Sequence, residues 1–380
     1  MSRKIRVGLI YGGKSGEHDV SLQTALAVMK AVDFTKYEIT PFYITKKGEW
    51  KSGSPLLAPA ESKEALTFSS AADAAAPVSN ALAPIFGAVQ AKGDITVSAV
   101  SNETADTGLD VVLPLLHGTF GEDGTIQGML EMANIAYVGA GVLASAVGMD
   151  KVMMKKVFAQ EGLPQCIFRH FTRTEWEKNR AYHLVELETA IGYPCFVKPA
   201  NLGSSVGISK ARNQQELIEA VNFAFQYDRK VIIEENIEAR EIEVAVLGND
   251  EPIASVAGEI VSSNEFYDYK AKYLDGKSAM VIPADIPPET SDLIRQLALQ
   301  AFLAVDGSGL SRVDFFLGKT DQKVYINEIN TMPGFTPFSM YPLLWEESGK
   351  SYTELLDDLI KLALERHKAK QGIQYSFDVE

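Results

Sequence analysis

Cysteine is scarce in this chain. Only two occur in 380 residues, Cys166 and Cys195, both in apolar surroundings, and a disulfide framework needs more. They read as buried packing thiols of a reduced, cytoplasmic protein. Positive charge is also in short supply. A formal net charge of −14 argues against nucleic acid or an anionic membrane as the main partner, because both need basic surface. A phosphate site needs only a few local cations and stays open. No apolar run approaches the length that spans a bilayer. The basic start, Met1 to Arg6, leads into a strand-like run too short for a signal sequence and without a small-residue cleavage site. No internal repeat is evident. What is present is ordinary: 46% hydrophobic and 23% charged residues, enough for two or three domains with cores of their own.

Strand and helix patterns alternate from the start. Ile5 to Tyr11 is a short β-rich run ending at Gly12-Gly13. Leu22, Ala25, Leu26, Met29 and Val32 then share one helical face. Further strands are expected at Glu38–Ile44, Val111–Leu116 and Ala136–Val138, which implies a parallel α/β sheet. The Ala/Ser-rich stretch from Leu56 to Ser101 has weak periodicity and reads as a surface excursion. Asp150 is a candidate N-cap, with Gly162 and Pro164 as a stop. Strands follow at Cys195–Lys198, Gly207–Lys210, Val231–Glu235 and Glu241–Leu247. Asn213-Gln-Gln-Glu216 opens a helix like a capping box. A helix over about Ser291–Val305 precedes two strands, Ser311–Leu317 and Lys323–Glu328, joined by a hairpin. The chain divides into α/β units at 1–139, 140–237 and 238–380.

Gly8 to Ser15 matches the P-loop pattern GxxxxGK[ST] letter for letter. Its first half is itself the strand, however, and Glu17 and Asp19 follow where a phosphate would sit. A glycine loop carrying an exposed Glu17 suits an ammonium better.

The strongest constellation is Arg312-Val-Asp314 with Asn327-Glu328-Ile-Asn330. Alternation puts Arg312 and Asp314 on one face, and Glu328 and Asn330 on one face. The hairpin sets these faces side by side, an all-oxygen cluster of the kind that suits Mg²⁺. A solvated polar face with a chance Arg–Asp pair is the bland alternative. Lys198 beside the loop Gly203-Ser204-Ser205-Val206-Gly207 could meet a phosphate, although glycine-rich hairpins are common. Glu234 and Glu241 could meet an adenine and a ribose, or form a solvated acidic loop. The segment His117-Gly-Thr-Phe-Gly-Glu122-Asp123-Gly124 follows a strand at the sheet edge where open α/β sheets bind ligands. Glu265 to Tyr273, rich in Tyr and Lys, reads as a lid over a charged ligand or as a solvated basic loop.

Taken in this order, the segments resemble the D-alanine–D-alanine ligases of the ATP-grasp superfamily. The resemblance covers nearly all of the chain outside 56–101, and its most specific parts are HGTFGEDGTIQG and the block Arg312 to Gly334. It implies a three-domain architecture, a parallel α/β domain followed by two α+β domains that grip ATP. It assigns Lys151, Lys198, Ser204 and Lys272 to phosphates, and Glu234, Ile237, Glu241 and Phe266 to the rest of the nucleotide. Asp314, Glu328 and Asn330 match ligands of two Mg²⁺ ions, for which Mn²⁺ can substitute. Glu17, with His117 nearby, matches the group receiving the first D-alanine's ammonium, hydrogen-bonded with Ser205 and Tyr273. Arg312 and the Gly334 backbone match an oxyanion-stabilising pair, and Ser339 with Met340 the site of the second D-alanine's carboxylate. A homodimer is the family expectation. The rivals are a relative using D-lactate or D-serine, against which Tyr273 argues, another ATP-grasp ligase or carboxylase, and a non-catalytic nucleotide-binding module.

Overall fold

The computed structural model describes residues 3–67, 108–203, 206–261 and 279–374. Its first unit grows from strand β1 (Ile5–Gly12), whose apolar run is buried from Val7 onward. Helix α1 (His18–Ala31) follows, with Leu22, Ala25, Val28 and Met29 turned inward. Strands β2 (Tyr37–Ile44), β3 (Trp50–Ser52) and β4 (Val111–Pro114), helix α2 (Thr125–Met132) and strand β5 (Ala136–Tyr137) complete it. The sheet order is β3-β2-β1-β4-β5. β1 lies parallel to both β2 and β4, and only β3 runs antiparallel. The expected parallel sheet is present. The expected surface excursion needs correcting at its start: Leu66 is buried, Leu56 and Ala60 pack on the same core, and Tyr11 Oη donates to Leu66 O at 3.0 Å. Residues 68–101 of that stretch lie outside the described residues.

Two helices link this unit to the next, α3 (Val142–Met149) and α4 (Lys151–Gln160). Asp150 caps α4, accepting from the Val152 and Met153 amides, which satisfies donors that the first helical turn leaves unpaired. Next come β6 (Phe168–Thr172), α5 (Arg173–Ala190), β7 (Cys195–Pro199), β8 (Ser209–Ala211), α6 (Gln214–Ala224) and β9 (Lys230–Glu235). They form an antiparallel sheet of order β6-β9-β7-β8. Asn213 accepts from the Glu216 amide, but the Glu216 carboxylate reaches the Arg212 amide. Only half of the expected capping box forms. β6 and α5 escaped sequence reading, because α5 buries only Trp176 and Leu187 and has no apolar stripe to find.

The last sheet is assembled from β10 (Ala239–Gly248), β11 (Ile253–Val261), β12 (Ala279–Val281), β13 (Gly309–Gly318) and β14 (Val324–Asn330), with α7 (Pro288–Ala304) packed on it. Its order is β12-β11-β10-β13-β14. Helices α8 (Met340–Glu347) and α9 (Tyr352–Gln371) close the chain. Packing does not respect sequence order. Met154 and Phe158 of α4 enter the core of this last sheet. Leu355, Leu356, Leu359 and Ile360 of α9 join the core of the first. Among the described residues, no helix is long and apolar enough to cross a membrane.

Candidate active site

The three sheets meet around a group of charged side chains, and β13 and β14 place the most acidic part. Arg312 faces Asn330 across the pair and Asp314 faces Glu328. Ile326 and Ile329 are both buried, although positions three apart in a regular strand point to opposite faces. A bulge resolves this. Phe315 pairs with Ile326 directly after Asp314 pairs with Glu328, so Asn327 is the extra residue. The bulge turns Glu328 out beside Asp314 while both isoleucines stay in the core.

Arg312 holds Asp314 through two bonds, Nε to Oδ1 and Nη2 to Oδ2, each 2.7 Å. Its Nε also lies 3.1 Å from Glu243 Oε2. Burial works against the guanidinium charge, but Asp314 and Glu243 overcome it and hold the group more firmly protonated than usual. Glu243 was not anticipated from sequence. It sits opposite Asp314 on β10, and its inward aim depends on that cross-strand pairing. Asn330 Oδ1 accepts from the Met332 amide at 2.9 Å and retains a second lone pair. Two carboxylates and an amide oxygen form a hard-oxygen donor set that fits Mg²⁺.

Lys151 and Lys198 come from the neighbouring unit. Lys151 Nζ donates to Leu202 O at 2.9 Å and lies 3.7 Å from Glu328 Oε2, so it joins the chain entering the glycine loop to the acidic strand. Lys198 Nζ is 2.5 Å from Glu234 Oε2. Glu234 is buried rather than solvated, and its other oxygen lies 3.0 Å from Lys155 Nζ without hydrogen-bond alignment. Burial alone would raise the Glu234 pKa, but Lys155 and Lys198 outweigh it and lower it to about 2. Lys155 is a second residue missed from sequence. Its signal was a lysine four positions after Lys151, on the same face of α4. Ile237 lies between β9 and β10, and Glu241 is on β10.

The third contribution comes from the first unit. Glu17 precedes α1 and is buried at 8% exposure, which corrects the expectation of an exposed carboxylate. It gathers with His117 and Glu122, their ligand atoms all within 4.8 Å of one another. Gly118 N donates to Glu122 Oε1 at 2.7 Å. Gly118 has φ +72°, and a Cβ there would come within 3.5 Å of Glu17; a side chain would be strained as well as crowded. Burial pushes the Glu122 carboxyl up to about 8, the Glu17 carboxylate adding to the push. Burial lowers the His117 pKa, against the pull of Glu17. The His117 ring Nε2 is 3.1 Å from Thr24 Oγ1. A Cβ on Gly203 would stand 3.4 Å from Glu17 Oε1, so the glycine loop abuts this cluster.

Gly334 and Ser339 are neighbours, a Cβ on Gly334 falling 3.1 Å from Ser339 Oγ. That hydroxyl contacts Thr336 N at 3.1 Å and Thr336 Oγ1 at 2.8 Å. The Met340 side chain is buried in the core, and only its backbone stands at the start of α8. Ser204, Ser205, Phe266, Lys272 and Tyr273 lie outside the described residues. The P-loop lookalike does not form a phosphate cradle. Gly8 lies within β1, where a Cβ would meet Leu109 at 2.8 Å. Ser15 Oγ donates to His117 O at 2.6 Å, and Lys14 stands over the Phe120 ring.

Two family models match this chain, D-ala D-ala ligase N-terminus over residues 6–140 and D-ala D-ala ligase C-terminus over residues 157–361. The D-alanine--D-alanine ligase of Bacillus cytotoxicus is 56% identical over 98% of this chain and 99% of its own length. The chain belongs to the D-alanine–D-alanine ligase family. Its members are ligase enzymes, and the architecture is the three-part ATP-grasp fold. The Geobacillus kaustophilus D-alanine--D-alanine ligase is 55% identical over 99% of both chains. Among solved structures, the D-alanine-D-alanine ligase of Coxiella burnetii matches with a TM-score of 0.76 at 34% identity, covering 97% of each chain. The VanG D-Ala:D-Ser ligase of Enterococcus faecalis matches with a TM-score of 0.77, also at 34% identity, over 95% of this chain and 100% of that one. A D-alanine-D-alanine ligase and a D-Ala:D-Ser ligase thus match this fold about equally well.

Proposed function

We propose that this chain joins two D-alanines into D-alanyl-D-alanine for peptidoglycan precursor synthesis, cleaving ATP to ADP and phosphate. The observation that carries the reading is Lys151, whose ammonium donates to Leu202 O, just before the glycine loop, and pairs with Glu328 on the acidic strand. A nucleotide's phosphates belong between those two elements. We take the units as 1–139, 140–237 and 238–380, in a cytoplasmic homodimer.

The first D-alanine's ammonium is received by Glu17 beside His117. Its carboxylate oxygen attacks the γ-phosphorus, the bond to ADP breaks, and an acyl phosphate forms. Such a transfer asks for positioning and charge neutralisation, which Lys151, Lys198 and Lys272 supply, with Ser204 and the loop amides. Glu234, Ile237, Glu241 and Phe266 hold the rest of the nucleotide. Asp314, Glu328 and Asn330 would hold Mg²⁺, which supplies further charge neutralisation. The second D-alanine, its carboxylate at Ser339 and the start of α8 near Met340, attacks through its free amine. Arg312 and the Gly334 amide stabilise the oxyanion, and phosphate leaves. Ser205 and Tyr273 complete the hydrogen bonds around Glu17, and a closed lid keeps water from the acyl phosphate.

Phosphate release with D-alanine alone, L-alanine alone, and D-alanine paired with D-lactate or D-serine tests the reading. D-alanine alone should support turnover and L-alanine should not. Turnover that requires D-serine or D-lactate as the second substrate would reassign the chain within its family.

A further inference from the structure

A buried charge cluster with a member still unused lies between α4 and the central sheet. Lys155 is 1% exposed, a rare state for a lysine. Among the described residues its Nζ lies near Glu234 Oε1 at 3.0 Å, Cys166 Sγ at 3.6 Å and the Phe168 ring at 5.9 Å. Among these groups only the carboxylate can balance its charge. Glu234 is thus held from both sides, Lys155 on one oxygen and Lys198 on the other. We propose that Lys155 is a positioning residue for nucleotide binding, holding Glu234 so that Lys198 is free to exchange that carboxylate for a phosphate.

The argument rests on the reading of Lys198 as a phosphate ligand. An ammonium that is the sole partner of a buried carboxylate cannot leave it without stranding an uncompensated charge, a strongly unfavourable state. A second, permanent cation removes that obstacle. The two lysines differ in the required way. The Lys155 side chain is 1% exposed, whereas the Lys198 side chain is 12% exposed and also feels the Glu328 carboxylate, on the strand assigned to the phosphates' metal. Their attachment differs too. Lys155 is fixed on a helix whose Met154, one residue before it, and Phe158, about one turn on, enter another core. Lys198 is on β7, immediately before the glycine loop. Among the described residues, loss of Lys155 would leave Lys198 as the one counterion of Glu234, and phosphate would then compete with a buried carboxylate for one ammonium.

Equilibrium binding of Mg·ATP to the full-length chain tests this, with Lys198→Ala as the control for the underlying reading. Lys155→Met should weaken binding about tenfold or more while leaving KM for D-alanine within about twofold, and Lys155→Arg should recover most of the loss. Because Glu234 is itself assigned a nucleotide contact, the coupling is read in the Glu234→Gln background, where adding Lys155→Met should cost no more than about threefold, since a neutral amide no longer retains Lys198. A loss on adding Lys155→Met that is as large in the Glu234→Gln background as in wild type would mean ordinary structural damage and would overturn the proposal, as would unchanged affinity in Lys155→Met. Should Lys155→Met fail to fold, the uncharged pair Lys155→Met/Glu234→Gln is compared with Glu234→Gln alone. Affinities equal within about threefold support the proposal, and a further tenfold loss in the pair overturns it. Unchanged affinity in Lys198→Ala would remove the phosphate reading itself, and this inference with it.

Discussion

At the scale of single residues, the site works by setting like and unlike charges at short range under burial. Glu122 illustrates the cost of one such placement. Its carboxyl is pushed up to about 8 by burial and by the Glu17 carboxylate, with Gly118 N–H and Arg312 opposing and Glu328 adding. Between the ordinary carboxyl range and about pH 8, the folded chain keeps a proton that the unfolded chain has lost, so stability falls as pH rises through that window. Glu122→Gln cannot ionise and should gain stability over wild type as pH is raised from about 5 to about 8. Thermal melts at both pH values check this, and a difference that does not change with pH would rule it out. Lysine placement makes a second prediction. Lys198→Ala should weaken ATP binding strongly, whereas Lys14→Ala, whose ammonium stands over the Phe120 ring, should leave it within a few-fold; the reverse ranking in equilibrium binding would restore the P-loop. Asp314→Asn should lower magnesium-dependent turnover by orders of magnitude while the melting profile stays close to wild type. Near-normal activity at low magnesium would contradict the role given to that strand pair. Residue types and order made Arg312, Asp314, Glu328 and Lys198 legible in the sequence. Lys155, Glu243 and the burial of Glu17 were not legible, because each depends on what lies across a strand pair or under a helix.

At the scale of elements, regular patterns were readable and their interruptions were not. β1, α1 and β13 announce themselves by periodicity, but the bulge at Asn327 appears only as two apolar positions three apart, Ile326 and Ile329. α5 hides behind a polar surface. The terminal helix α9 was overlooked although Leu355, Leu356, Leu359 and Ile360 form a plain apolar stripe. Ser351 and Glu354 make a complete capping box at its start, a signature the sequence does carry. That helix packs on β4 and β5 of the first sheet, fastening the end of the chain to its beginning. Leu359→Ala should therefore cost ~2–5 kcal/mol of stability. Denaturant unfolding measures this, and a loss below about 0.5 kcal/mol, typical of surface positions, would mean that α9 is not part of that core.

At the scale of the whole molecule, the three sheets each supply a different kind of group. The first brings Glu17 and His117, the central one Lys198 and Glu234, and the last Arg312, Asp314 and Glu328. Contacts across their seams bind the arrangement together: Lys151 to Glu328, Gly203 against Glu17, and Met154 S accepting from the Ile329 amide. Bringing a carboxylate, a triphosphate and an amine together from three sides suits a reaction whose intermediate water would destroy. In the proposed reaction a D-alanine carboxylate is phosphorylated and the amine of a second D-alanine then attacks its acyl carbon. The most direct test gives the chain ATP and D-alanine labelled with heavy oxygen in its carboxylate, and weighs the phosphate released. If an acyl phosphate forms, the oxygen that attacked phosphorus leaves with it, so each phosphate should carry one labelled oxygen for each dipeptide made. Dipeptide formed with unlabelled phosphate, or phosphate released without dipeptide, would contradict the account.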